Sequence, residues 1–179
     1  MDNLDYGRMK WEDEVEVMKC PVCGSEEIVP PAGKKDSPIL IVGEFPGEEE
    51  IKEGRPFVGA MGSIFKIELS KLGIDMKALR ICNLWQHPLT KNKECLDYGM
   101  KTVIAEAIDR KAILLIGSDT VKLFCDKSVA ATTGLEVKSP YLSAPLIMSC
   151  IQPAIVFHSS VGEFRLSLQK FAFRIEGLL

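Results

Sequence analysis

Four short apolar runs constrain what this chain can become. Residues 38–43, 79–84, 112–117 and 145–151 are each rich in Ile, Leu or Val. Runs of that length and composition read as strands buried on both faces. Helical patterns lie between them. Phe65, Leu69 and Leu72 share a face in 62–72, and Leu96, Met100, Val103 and Ala107 do so in 95–109. Near 161–175, Phe164, Leu168, Phe171 and Ile175 recur at i, i+4, i+7 and i+11. Strands alternating with helices predict a parallel sheet covered on both faces. The segment 128–144, with Thr-Thr-Gly and Ser-Pro-Tyr, reads as a small antiparallel excursion.

A parallel sheet has a functional edge. Gly43–Gly47, Asn83, Gly117–Ser118 and Gln152-Pro153 each follow the end of an apolar run, and in an open α/β sheet those ends share the side where ligands bind. Four separated loops are therefore expected around one pocket. The first, GEFPGEEEIKEGRPFVG over 43–59, lacks the Gly-Lys-Ser/Thr of a P-loop and the Gly-x-Gly-x-x-Gly of a dinucleotide site. Its glutamates would also repel phosphate. Glu44 falls where a carboxylate can face the pocket, and Pro46-Gly47 permits a tight turn and close ligand approach. Phe57 offers either a flat face for a planar ring or a core side chain. Glu48 to Glu50 also suit a solvated helix start, where acids complement the dipole. Asn83 presents donor and acceptor together, which fits a nucleobase edge, or else it forms a turn.

The 179 residues suffice for one domain with a full core, expected over 20–179 behind an acidic segment at 1–19. That segment holds six acidic and three basic side chains, leaving nineteen of each in the remainder. A nucleic-acid site would therefore have to rest on a local basic face. No apolar stretch approaches the roughly 20 residues of a membrane span, and the polar, acidic start is unlike a secretory signal. The expected setting is intracellular and cytoplasmic, without membrane partners. Six cysteines there read as thiols or metal ligands in preference to disulfides. Cys20-Pro-Val-Cys23-Gly is a metal knuckle without a second Cys-x-x-Cys, so its remaining ligands come from among Cys82, His87, Cys95, Cys125 and Cys150. His87 and Cys95 bracket the loop after the second run. Cys125 and Cys150 lie in apolar patterns and read as core thiols.

Taken together, Cys20/Cys23, GEFPGEEE at 43–50, GRPFVG at 54–59, CN at 82–83 and LLIGSDTVKLF at 114–124 resemble the uracil-DNA glycosylase superfamily, most closely its iron–sulfur, family 4-like branch. The resemblance runs from about residue 20 to the end. It implies a three-layer α/β/α fold with a central, mainly parallel four-stranded sheet. It implies excision of an extruded uracil from single- or double-stranded DNA in base excision repair. Phe57 would stack on the base, Asn83 would read its edge, and Gly43, Phe45 and Gly47 would line the substrate side. Glu44 would lie near the glycosidic bond. It implies a 4Fe-4S cluster on Cys20, Cys23, His87 and Cys95, with zinc as the alternative metal and Cys82 as a substitute ligand.

Two positions depart from the family pattern. The third cluster ligand, commonly a cysteine, is here His87, and histidine ligation has precedent. The late His-Pro-Ser motif becomes Gln152-Pro153-Ala154, leaving Gln152 to donate to the uracil carbonyl without an ionisable proton. His158, six residues on, either swings in or begins the last helix. A second reading therefore stands beside the enzyme: a glycosylase-like protein of weakened chemistry that holds DNA or a replication polymerase or other replication protein, in the nucleoid or a viral replication complex.

Overall fold

The computed structural model describes residues 18–89, 92–153 and 161–179. Most of the acidic segment, together with Ala154 and His158, lies outside the described residues. The four apolar runs form β2 (Ile39–Gly43), β3 (Arg80–Asn83), β4 (Ala112–Ile116) and β5 (Leu146–Cys150), all mutually parallel and buried along their length. The sheet has five strands and not four. A two-residue strand, β1 (Ala32–Gly33), pairs antiparallel with Ile81 and Arg80, giving the order β1-β3-β2-β4-β5. Two residues carry no alternation from which a strand can be read.

Side chains alternate across the sheet as the pleat requires. Leu40, Val42, Cys82, Ile113, Leu115 and Ile147 face one layer, where Cys95 and Val103 of α3 (Lys93–Glu106) meet Val121 and Phe124 of α4 (Ser118–Cys125). Ile39, Ile41, Ile81, Leu114, Ile116 and Met148 face the other. There Phe65 and Leu69 of α2 (Ala60–Lys71) meet Phe164, Leu168 and Phe171 of α6 (Val161–Arg174). Each such fully buried side chain contributes about 1.5–3 kcal/mol, so the two cores account for the three-layer architecture. Two shorter helices, α1 (Glu48–Glu53) and α5 (Val129–Thr132), carry no fully buried residue, though Val129 of α5 packs against the first core.

The expected excursion covers the outer edge of β5. Glu136 and Met148 form an antiparallel bridge, Val137 N–H donates to Ile147 O, and Ser149 N–H donates to Leu135 O. At the opposite end, Arg80 of β3 makes two bonds to Glu106 of α3 (Nε to Oε2 at 2.8 Å, Nη2 to Oε1 at 2.7 Å), and Arg110 joins the same carboxylate at 3.2 Å. This knot ties the α3 C-terminus to the N-terminal side of the sheet, away from the edge where the loops gather.

Candidate active site and metal centre

The loops leaving β2, β3 and β5 close around a cavity of about 360 Å³ at the C-terminal edge of the sheet. Gly43, Glu44, Phe45, Gly47, Phe57, Asn83 and Gln152 all line it. Gly43 and Asn83 are register partners at the ends of neighbouring strands. A Cβ on Gly43 would collide with Asn83 Oδ1 and with the ring of Phe57. The missing side chain is what lets an amide and an aromatic ring converge there.

Phe57 is held in an unusual state. It adopts φ +59°, the left-handed region that costs a non-glycine residue roughly 1–2 kcal/mol. Its ring lies 5.4 Å from that of Phe65, tilted by 58°, and its carbonyl packs where a Cβ on Gly62 would sit. The ring is half-buried in the cavity wall, so both readings of Phe57 are partly met: it touches the core and lines the pocket. Phe45 is 45% exposed at the rim.

Glu44 is buried, and its Oε1 accepts the Asp119 N–H at 2.6 Å. Gly117, the N-cap of α4, provides no capping side chain. Its φ of +102° and bare Cα admit the Glu44 carboxyl against the helix end. Burial pushes the Glu44 carboxyl above its ordinary value, and the Asp119 and Ser118 amides pull it partly back. A carboxylate positioned by a neighbouring helix terminus, beside an amide and an aromatic ring, suits a planar ligand that carries hydrogen-bonding groups on its edge.

Sequence reasoning missed two supporting side chains. Glu50 is more than a solvated acid. Its Oε2 accepts the Gly47 N–H (3.0 Å) and its Oε1 the Gly59 N–H (2.7 Å), tying together the two lips of the cavity. The capping-box spacing from position 47 to 50 was the available signal. Gln86, buried, donates from Nε2 to the main-chain carbonyl of Asn83 at 2.5 Å and so holds the backbone from which that amide projects.

A second cluster lies beside the first. The ligand atoms of Cys20, Cys23, His87 and Cys95 all lie within 4.8 Å of one another. Cys20, His87 and Cys95 are buried while Cys23 is exposed. The Cys20–Cys23 turn is closed by the Gly24 N–H on Cys20 O, and Cys95 comes from the first turn of α3. His87 Nδ1 is 3.0 Å from the Pro88 carbonyl, which can only accept, so that nitrogen carries the hydrogen. The lone pair of the neutral ring is then on Nε2, 3.6 Å from Cys23 Sγ. Three thiols and one correctly poised imidazole fit a soft or borderline metal. Cys82 is not part of this group. It is buried in β3, where desolvation pushes its thiol far up. Cys125 and Cys150 are buried elsewhere as core thiols.

The family model of the uracil DNA glycosylase superfamily matches residues 30–171. This chain belongs to that superfamily. It is 28% identical over 161 residues to a type-4 uracil-DNA glycosylase of Thermotoga maritima, covering 83% of each chain. It is 30% identical over 114 residues to one of Archaeoglobus fulgidus, covering 57% of this chain and 56% of that one. A third, from Pyrobaculum aerophilum, is 37% identical over 94 residues and about half of each chain. The superfamily match spans β1 to most of α6, so it takes in every loop that lines the cavity, as well as His87 and Cys95. Cys20 and Cys23 stand ahead of it.

Proposed function

We propose that this protein hydrolyses the N-glycosidic bond of uracil in DNA, leaving an abasic site. The observation that carries the reading is the convergence of Glu44, Phe57, Asn83 and Gln152 on one cavity, in a chain of this superfamily. An extruded uracil would lie with its face against Phe57 and its edge toward the Asn83 amide. Uracil and cytosine differ in donor and acceptor order, so an amide on a fixed backbone discriminates between them. Water attacks the sugar carbon, its proton passing to the Glu44 carboxylate, and the electron pair of the breaking C–N bond leaves with the base. Gln152 donates an N–H to the carbonyl on which that charge accumulates.

The Cys20, Cys23, His87 and Cys95 group is read as the seat of an iron–sulfur cluster of the 4Fe-4S type, on the donor set and on the resemblance to the iron–sulfur branch. Such a cluster, when bound, supplies a cross-link and a redox-active centre. Zinc is the competing occupant, because ligands about 2.0–2.3 Å from one tetrahedral ion stand only roughly 3.5–4 Å apart. His87 follows Asn83 by four residues, so whatever is bound there also anchors the segment that reads the base.

Gln152 favours one rival reading, a DNA-binding or polymerase-accessory protein with weakened chemistry, since a glutamine has no ionisable proton to stabilise the leaving base. Purified protein with a uracil-containing oligonucleotide, read by alkali cleavage, separates the two. An enzyme cleaves, and Gln152→His raises its single-turnover rate at least about tenfold, or ~1.4 kcal/mol of transition-state stabilisation. DNA affinity stays unchanged, because the gain appears only as charge develops. If parent and variant are both inert while DNA binding persists, the rival holds.

A further inference from the structure

Gln152 enters the cavity directly from the end of β5, and the groups that hold this exit lie outside the cavity. Ser167 Oγ of α6 stands 2.7 Å from the Glu163 carbonyl, which can only accept, so the single hydroxyl hydrogen of Ser167 is used there. Thr133 Oγ1 is 3.2 Å from Ser167 Oγ, and in that pair Thr133 must therefore donate. A lone pair of Thr133 is left for the Ile151 N–H, at 3.0 Å. Cys150 Sγ also lies within reach of the Ser167 hydroxyl, and with either acceptor its hydrogen is turned away from Thr133. Earlier along the same edge, main-chain carbonyls accept from β5, as Leu135 O does from Ser149 N–H. At Ile151 a side-chain hydroxyl takes their place.

We propose that Thr133 is a positioning residue for Gln152. Its hydroxyl, oriented by Ser167 on α6, fixes the main chain at Ile151 so that the next residue presents its amide to the cavity in one orientation. The inference rests on the reading of the cavity as a uracil site in which Gln152 donates to the leaving base. A donor acting on charge that develops in the transition state is sensitive to small displacements, so a hydroxyl one residue away sets how much of its strength is realised.

Thr133→Val keeps the volume and removes the hydroxyl, whereas Thr133→Ser keeps the hydroxyl. The first measurement is independent of catalysis. By NMR, the Ile151 amide should exchange at least about tenfold faster in Thr133→Val, with Ile147 unchanged as internal reference and Thr133→Ser like the parent. Unchanged exchange at Ile151 in Thr133→Val overturns the relay. The second is single-turnover excision from a uracil-containing duplex. Thr133→Val should be slowed at least about fivefold with DNA affinity within twofold, Thr133→Ser should retain the parental rate, and Thr133→Val should add no further loss to Gln152→Ala. Equal losses in both backgrounds make Thr133 merely structural and overturn its positioning role. A parent that excises nothing defeats the glycosylase reading alone, and the exchange measurement still decides whether Thr133 holds the exit to Gln152.

Discussion

Glu44 performs two tasks with one carboxyl group. Oε1 serves as the cap that glycine at 117 cannot provide, while the group as a whole lines the cavity. Because burial raises its pKa above the ordinary glutamate value, a glycosylase that uses it as the base should lose kcat/KM as pH falls through that raised pKa. The acid limb of the pH–rate profile should therefore lie above the ordinary glutamate range. Glu44→Gln should remove the limb and lower the rate by about 10²–10⁴. The stability contribution has a defined sign as well. The folded state holds the proton more tightly than the unfolded one, so Glu44 favours folding at low pH, and that contribution is lost as pH rises through the folded pKa. Glu44 was legible as a pocket residue from its place after an apolar run. Its capping bond was not, because the partner amide is 75 residues away.

At the level of elements, α1 is the informative case. It buries nothing, and its first turn carries three glutamates, so composition describes it as surface. Its function is to place Glu50 between Gly47 and Gly59, clamping the loop that holds Phe57 in its left-handed backbone. Glu50→Ala should cost about 1–3 kcal/mol of stability by chemical denaturation through the loss of two charge-assisted bonds. It should also slow uracil excision roughly tenfold, with Glu50→Gln intermediate. Parental stability and rate in Glu50→Ala would show that the lips hold without the clamp. The four long strands and three long helices were legible because apolar periodicity reports burial, which is what decides those elements. What escaped lacks an apolar pattern: β1, α5, the Thr133 relay, and the clamp that Glu50 makes from a helix start legible only as solvated acids.

For the whole molecule, the candidate metal site joins a turn near the start of the described chain to the segment after β3 and the first turn of α3. Protein purified without oxygen should be brown with roughly four irons per chain if the cluster reading holds. A colourless protein with one zinc would sink it. Cys20→Ser should lose metal and lower the melting temperature, whereas Cys125→Ser should keep its metal. Spacing along the chain singled out Cys20 and Cys23 as candidate ligands. His87 and Cys95 were chosen from several candidates with the help of resemblance, because only folding sets their distance from the knuckle.

The blunted ends of the sheet have a consequence for how this molecule meets others. On one side β1 offers two residues, and on the other the outer groups of β5 are already engaged by Thr133, Gly134, Leu135 and Val137. A long open edge templates pairing with foreign strands; among the described residues neither side of this sheet presents one. Among the described residues, then, a chance neighbour in a crowded solution finds no long strand to extend.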